Sequence, residues 1–177
     1  MLDRWHEFYA LLGTAAAALV ALLFVAVSIA TEVLTSEPES RANTRTYMSP
    51  VVFHFANILF LSLIALILTQ TWESLGLTIG GASIGSLAYS TAIALRVHRN
   101  PFSDLADRCA YGAVPMLCYA AGLSTAWLLL NERPAGLNVL AGSALTLLVI
   151  NIRNAWDLTI FFAQRRKDGN PPNPNGN

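Results

Sequence analysis

The run Leu137–Phe162, LNVLAGSALTLLVINIRNAWDLTIFF, decides how this chain folds. A helix needs about 20 predominantly apolar residues to cross the ~30 Å hydrocarbon core of a bilayer, and this run is longer than that. Near its C-terminal end it also carries Asn151, Arg153, Asn154 and Asp157. Because charge inside hydrocarbon is costly, ionisable residues there indicate a site. The run therefore predicts a membrane span that contains a candidate site.

Four more runs of similar length and character precede this one. They are Tyr9–Ala30, Pro50–Gln70, Leu75–Leu95 and Ala110–Leu130. The whole chain is 54% hydrophobic and 12% charged, which is about half the charged fraction of a soluble domain. Backbone groups in lipid must be paired within their own segment, so each run is expected to be helical. We therefore predict an all-α fold, a polytopic bundle of about five transmembrane helices.

The same pattern predicts one domain followed by a short tail. Residues 1–166 are expected to form a single transmembrane bundle, with helices at about 9–30, 50–70, 75–95, 110–130 and 137–162. Residues 167–177 are rich in Asn, Pro and Gly and offer little to bury, so we expect a disordered cytoplasmic tail. Pro50 follows a polar stretch and suits the start of the second helix.

Lysine and arginine residues predict the orientation, because cytoplasmic loops carry an excess of them. Eight lie in the first loop, the third loop and the tail: Arg41, Arg45, Arg96, Arg99, Arg108, Arg165, Arg166 and Lys167. Two, Arg4 and Arg133, lie on the opposite side. The N-terminus is therefore expected outside and the C-terminus inside. Trp5, Trp72 and Trp127 then fall at outer helix ends, where aromatic belts form.

Small residues mark helix faces that allow close packing in lipid. The first helix carries Gly13, Ala17 and Ala21 at four-residue spacing. The third helix carries the largest set of such helix-packing residues: Gly81, Ala82, Gly85, Ser86 and Ser90. Two interpretations stay open for both sets, namely tight packing inside one bundle and an interface between copies of the chain.

The polar residues of the last run have candidate companions in the second run. Arg153 and Asp157 lie four residues apart on a helix and can pair directly. By helical rise, His54 and Asn57 reach depths that match those of Asp157 and Arg153. We expect His54 to meet Asp157, and Asn57 to meet Asn154 or Arg153. The candidate polar membrane cluster is His54, Asn57, Asn151, Arg153, Asn154 and Asp157.

Three interpretations of this cluster compete. The first is structural, with interhelical hydrogen bonds worth about 0.6–2 kcal/mol each and with Arg153 neutralised by Asp157. The second is a transport or gating site in which His54 and a carboxylate handle protons. The third is a docking site for lipid head groups or a partner helix, because Arg153 lies toward the basic side.

Signals for an enzyme are weak. Gly81–Gly85 matches G-x-S-x-G, but that motif requires a strand-to-helix turn that exposes the serine, whereas Ser83 falls inside a membrane helix. Its depth differs from that of His54 by about 12 Å, and a nucleophile needs its base at about 3 Å. No phosphate loop, dinucleotide fingerprint or CxxC pair occurs, and the net charge is zero. We therefore expect no enzyme, no cofactor and no nucleic-acid partner.

The first and last helices resemble those of a known group. The resemblance rests on WHEFY at 5–9, the alanine-rich run at 13–28 and RNAWDL at 153–158. Together they resemble small, uncharacterised bacterial multi-pass integral membrane proteins that have an Ala-rich first helix and an Asn-Ala-Trp-Asp-like motif in the last. The resemblance implies a bacterial inner-membrane protein, and it carries over no catalytic residues.

The function expected from the sequence is that of a non-enzymatic membrane interaction or regulatory module. Its expected partners are the lipid bilayer and either a second copy of the chain or another membrane protein. The alternative is a small channel or proton-coupled transporter that uses His54, Arg153 and Asp157. A transporter needs a polar path, and the outer halves of the predicted spans hold few polar residues.

Overall fold

Five long helices make up nearly all of the computed structural model, which describes residues 3–34, 38–67, 71–99 and 104–168. They are α1 (Asp3–Leu34), α2 (Pro38–Ala65), α3 (Trp72–Arg99), α4 (Leu105–Leu130) and α5 (Ala135–Asp168). The described residues contain no strand. Each helix is long and apolar enough to cross a membrane. The predicted all-α bundle with five candidate membrane-spanning helices is therefore confirmed.

Several helices extend beyond the apolar runs that predicted them. α1 continues to Leu34 and α2 begins at Pro38, so most of the polar stretch expected as a loop is helical. Pro50 lies inside α2, and the predicted start there was wrong because Pro38 takes the first-turn position, where a missing N–H costs nothing. α5 likewise continues to Asp168. Residues 169–177, most of the expected disordered tail, lie outside the described residues.

The last helix, α5, lies at the centre of the helix packing. It contacts α1, α2 and α4, whereas α3 packs mainly on α4 and more lightly on α2. The core between the helices is apolar and includes the fully buried Phe55, Ile58, Leu129 and Leu137. The Tyr9 hydroxyl donates to the Leu137 carbonyl at 3.3 Å. This bond ties the beginning of α1 to the beginning of α5.

Small residues bring the backbones of α3 and α4 close together. A Cβ added at Gly80 would lie 3.2 Å from Ala126 Cβ, and one added at Gly122 would overlap the Ser83 hydroxyl. Gly76 also packs directly on α4. Gly76 and Gly80 are four residues apart and form the GxxxG pair that mediates helix packing here. This pair lies five residues before Gly81 and Gly85, the pair predicted from the sequence.

The selected residues of α3 divide between two faces of the helix. Ser86 and Ser90 are buried and Ala82 is half-buried against the core. Gly81 and Gly85 are exposed, and a Cβ added at either would meet nothing within 4 Å. Their interpretation as contacts inside the bundle is therefore wrong. At 100° per residue they lie on the side of α3 that faces away from α4.

The packing stripe predicted on α1 is present only at its first residue. Gly13 packs against Ser62, with 3.1 Å from an added Cβ to Ser62 Cβ. Ala17 and Ala21 are exposed, and Ala16 is fully buried in their place. The prediction failed because a four-residue step advances about 40° around a helix, so a stripe of this spacing leaves the packed face after one turn.

Candidate functional site

The polar cluster predicted on α5 occupies two opposite sides of that helix. Asn151 and Asn154 face inward and are essentially inaccessible, at 0% and 1% exposure. The side chains of Arg153 and Asp157 face outward and are 42% and 43% exposed. The candidate site therefore consists of two separate parts, an inner polar region between the helices and a charged pair on the outside of the bundle.

The two inward asparagines each bond to the backbone of another helix. Asn151 Nδ2 donates to the Val51 carbonyl of α2 at 3.0 Å, and Asn154 Nδ2 donates to the Ala110 carbonyl of α4 at 3.2 Å. The Tyr111 hydroxyl of α4 donates to the backbone carbonyl of Asn154 at 3.3 Å. These bonds hold α2 and α4 on either side of α5.

A π-helical turn in α4 explains why the Ala110 carbonyl needs the Asn154 donor. The turn spans Cys109–Ala113 and is followed by Pro115. In such a turn each N–H bonds to the carbonyl five residues back, as the Val114 N–H does. The next N–H in this register belongs to position 115, and proline has none. Asn154 thus supplies the hydrogen bond that the proline removes.

A second buried group connects α2, α3 and α4. His54 Nδ1 lies 2.7 Å from the Tyr119 hydroxyl, and both side chains are buried. Ser86 of α3 lies beside the Tyr119 hydroxyl, and Asn57 Nδ2 donates to Ser86 Oγ. We call these four residues the His54 network. Asn57 is the donor to Ser86, and the tautomer of the neutral ring sets which of His54 and Tyr119 is the donor in their bond.

Several buried polar atoms have no hydrogen-bond partner among the described residues. They are His54 Nε2, Asn57 Oδ1, Ser62 Oγ, Ser90 Oγ, Asn151 Oδ1 and Asn154 Oδ1. All but the Ser62 atom lie between the middle of the bundle and the end where α5 finishes. Since native interiors keep only a few such atoms, their concentration makes this half of the bundle distinctly polar.

The charged pair lies on the side of α5 that no other described helix covers. Arg153 Nη2 is 3.4 Å from Asp157 Oδ2. Trp156 beside them is 65% exposed and Val149 is 60% exposed. Arg153 lies nine residues before Phe162, the end of the apolar run, which is about 13 Å along the helix axis. The outward side of a candidate membrane-spanning helix therefore carries an ion pair flanked by apolar residues.

The structure does not bring His54 to Asp157. His54 bonds to Tyr119 of α4, whereas Asp157 pairs with Arg153 on the outward side of α5. The prediction was wrong because helical rise gives the depth of a residue, while the rotation of the helix decides which neighbour it faces. The expected direct pairing of Arg153 with Asp157 is confirmed.

The expected partners of Asn57 were also wrong. Asn57 was predicted to meet Asn154 or Arg153, and it bonds to Ser86 of α3 instead. Asn154 bonds to α4 and Arg153 faces outward. Ser86, selected from the sequence for helix packing, thus also carries a polar contact across the α2–α3 interface.

Three residues of the inner region were missed in the sequence, namely Tyr111, Pro115 and Tyr119 of α4. A tyrosine well inside a span must find a partner for its hydroxyl when it is buried. A proline inside a span frees a carbonyl that a neighbouring side chain can satisfy. Both signals were present in the run 110–130, and together they mark α4 as a helix that receives polar contacts.

A small cavity lies near the centre of the inner region. A cavity of about 10 Å³ lies between α2, α3, α4 and α5, lined by Ser83, Tyr119, Gly122 and Ser143 among apolar neighbours. That volume is at the lower limit for a single water molecule. In the part of the chain that the structure describes, no three His, Cys, Asp or Glu side chains are grouped to hold a metal ion.

Comparison with known proteins adds no relative. No protein-family model matches this chain, and neither a curated protein nor a solved structure does. The function is therefore inferred from the geometry of the two parts of the site, the inner polar region and the outward Arg153–Asp157 pair.

Proposed function

We propose that this chain is a multi-pass bacterial inner-membrane protein with its N-terminus outside and its C-terminus inside, and that it acts as a non-enzymatic membrane interaction module. The contact surface is the outward side of α5. The observation that carries the proposal is the position of Arg153 and Asp157, which pair on the outside of the bundle instead of within it.

Charges at this position need a polar neighbour from outside the chain. Placing Arg or Asp at the centre of a span costs about 2.5–3.5 kcal/mol on insertion scales, and the cost is smaller for Arg153 and Asp157, which lie closer to the end of the span. Pairing and the snorkelling of the arginine toward water reduce that cost, but Arg153 and Asp157 both stay nearly half-exposed. A helix from a partner that brings matching polar groups removes the remaining cost, and this requirement favours a docking surface.

The inner region supports a non-catalytic role because its polar groups serve the fold. Asn151 and Asn154 bond to backbone carbonyls of neighbouring helices, and His54 bonds to Tyr119. These are interhelical bonds of the kind that hold membrane bundles together. The bundle thus provides a rigid support on which α5 presents its outward side.

Photo-crosslinking in bacterial membranes tests the proposal. A photoreactive phenylalanine analogue replaces Val149 on α5 or, as a control, Leu22 on α1, whose exposure of 65% is similar. We expect a discrete protein adduct from position 149 and none from position 22. Arg153→Leu combined with Asp157→Leu should reduce that adduct about tenfold. Equal labelling at the two positions, or an adduct that is insensitive to the charges, would contradict the proposal.

A small channel or proton-coupled transporter is the second candidate. The His54 network favours it, because it groups hydrogen-bonding side chains from three helices inside the bundle. The position of Asp157 outside the bundle weighs against it, since the proposed proton partner of His54 is then absent from the network. Proton flux into liposomes distinguishes the candidates. Flux above that of empty liposomes that is lost in His54→Leu would favour transport, and flux equal to the background supports the interaction module.

A further inference from the structure

We propose that the partner of the α5 surface is a second copy of this chain, so that two α5 helices pack in parallel around a two-fold axis along the membrane normal. This inference rests on the proposed function and names the partner that it leaves open. The surface involved, which we call the α5 face, consists of Gly142, Thr146, Val149, Arg153, Trp156 and Ile160, all exposed.

The spacing of the α5 face is that of a helix with a parallel helical partner. Gly142, Val149 and Trp156 are seven residues apart, and so are Thr146, Arg153 and Ile160. Two interleaved seven-residue repeats keep one side of a helix directed at a neighbour over several turns. The inward side of α5 already faces α1, α2 and α4. The repeats therefore mark a further helix contact beyond those inside the bundle.

The charge of Arg153 on the α5 face and that of Asp157 at its edge together form a self-complementary pair. One positive and one negative side chain lie four residues apart, Arg153 and Asp157, and a two-fold axis places the arginine of each copy beside the aspartate of the other. A guanidinium has five N–H donors, so one arginine can bond two carboxylates. The resulting group of four charges is neutral, whereas an unrelated partner helix must bring a charge pair of its own at the same depth.

The outer half of the α5 face allows two backbones to approach. A Cβ added at Gly142 would meet nothing within 4 Å of its own chain, which leaves an open notch on the surface. Thr146 next to it bonds its hydroxyl to the Gly142 carbonyl at 2.8 Å and so needs no other partner. Small residues of this kind let helices pack closely in lipid. Trp156 supplies a large contact near the charged end.

Two copies inserted in one membrane are parallel by necessity, because both follow the same distribution of basic residues. A dimer of this kind is isologous, so that every residue of the α5 face contacts the same face of the other copy. The exposed Gly81–Gly85 side of α3 has small residues but no charge pair at the same depth. It therefore serves as the matched control surface.

Disulfide trapping of the full-length protein in membranes tests the second copy directly. In a background with Cys109→Ala and Cys118→Ala, the variant Val149→Cys should form a disulfide-linked species of twice the monomer mass on mild oxidation. The control Gly85→Cys should form about tenfold less of it. Equal trapping at the two positions would overturn the dimer.

Reversal of the charges tests the pairing. Arg153→Asp alone or Asp157→Arg alone places four like charges together, and each should lower the dimer fraction about tenfold. The double variant Arg153→Asp/Asp157→Arg restores opposite charges and should restore the dimer. Helical circular dichroism and a single elution peak confirm that each variant is folded. The proposal would be overturned if the single charge variants left the dimer fraction unchanged, or if the double variant did not restore it.

The two proposals fail in different ways. A charge-dependent photo-adduct from position 149 with a different protein, without self-trapping of Val149→Cys, leaves the interaction module in place and removes the second copy as its partner. The absence of both the adduct and the trapped dimer removes both proposals. An adduct of twice the monomer mass together with the trapped dimer supports both.

Discussion

Asn154 joins α5 to α4 through two bonds. Its side-chain amide donates to the Ala110 carbonyl, and its backbone carbonyl accepts from the Tyr111 hydroxyl. Its amide replaces the backbone donor that Pro115 lacks. We expect Asn154→Leu to lower the free energy of unfolding by about 1–2 kcal/mol, since a buried carbonyl loses its donor. The measurement is reversible unfolding of the helices in mixed detergent, followed by circular dichroism.

The proline provides the control for this prediction. Pro115→Ala returns a backbone N–H that can bond within α4, so the double variant Asn154→Leu/Pro115→Ala should recover most of the lost stability. Asn151→Leu removes the bond to the Val51 carbonyl. The stability lost in this variant should not be restored by Pro115→Ala. If the alanine rescues both asparagine variants equally, the link between Asn154 and the proline is wrong.

The His54 network leads to a second prediction at the residue scale. Tyr119→Phe removes the hydroxyl that bonds His54 Nδ1 at 2.7 Å, which leaves a buried ring without any partner. We expect a loss of about 1–2 kcal/mol in the free energy of unfolding. In His54→Leu/Tyr119→Phe no ring nitrogen remains to be satisfied, so the double variant should lose less than the sum of the single variants.

A surface hydroxyl serves as the control for Tyr119→Phe. Thr159 bonds only to Ala155 of its own helix, at 2.8 Å, and is exposed. Thr159→Val should therefore change the free energy of unfolding by less than about 0.5 kcal/mol. Purely additive losses in the double variant of His54 and Tyr119 would show that the two side chains are not coupled.

The sequence predicts which residues are polar and how deep they lie, but not the direction in which each points. Asn151 and Arg153 are two positions apart, and about 200° of rotation separates them on a helix. One is fully buried and the other faces outward. Which of these directions is inward depends on the helices that pack against α5, and a single segment contains no such information. For the same reason, His54 was matched in depth with Asp157 although it faces α4.

At the scale of whole elements, the five spans are predictable because the hydropathy of a segment depends on its own residues and not on its neighbours. The ends of the helices are less predictable. The polar residues after Ala30 contain no strong helix breaker before Pro38, so α1 continues into the region expected as a loop. The turn between Leu130 and Ala135 agrees with the gap between the fourth and fifth predicted runs. There the positive φ of 55° at Glu132 follows the end of α4.

The close contact between α3 and α4 gives a prediction at this scale. A Cβ at Gly122 would overlap the Ser83 hydroxyl and lie 3.2 Å from Ser83 Cβ. We expect Gly122→Ala to separate the two helices and to lower the free energy of unfolding by about 1–3 kcal/mol. Gly122→Ala/Ser83→Ala removes most of the overlap and should recover much of that loss.

Gly85 on the outward side of α3 is the matched control for Gly122. A Cβ there meets nothing within 4 Å, and alanine favours a helix over glycine by up to about 1 kcal/mol. Gly85→Ala should therefore leave the free energy of unfolding unchanged or raise it slightly. Losses of equal size at the two glycines would show that close contact is not what limits position 122.

At the scale of the whole molecule, the two ends of the bundle differ in residue type. The bond from Tyr9 to Leu137 places the beginnings of α1 and α5 at one end, and Trp127 near the end of α4 lies there as well, with Arg133 at 5.9 Å from its ring. At the opposite end α3 finishes with Arg96 and Arg99. Three of the four tryptophans, Trp5, Trp72 and Trp127, lie toward the first end, and an excess of basic residues is the general mark of a cytoplasmic side.

This asymmetry predicts the orientation, and reporter fusions measure it. A fluorescent protein that folds only in the cytoplasm, fused after Asn177, should be bright, and alkaline phosphatase at the same point should be inactive. Phosphatase fused after Arg133, between α4 and α5, should be active, because that turn lies at the tryptophan end. The physical reason is that Lys and Arg resist translocation. Eight of them lie on one side of the predicted topology and two on the other. Active phosphatase after Asn177 together with inactive phosphatase after Arg133 would invert the topology and place the Arg153–Asp157 pair in the outer leaflet.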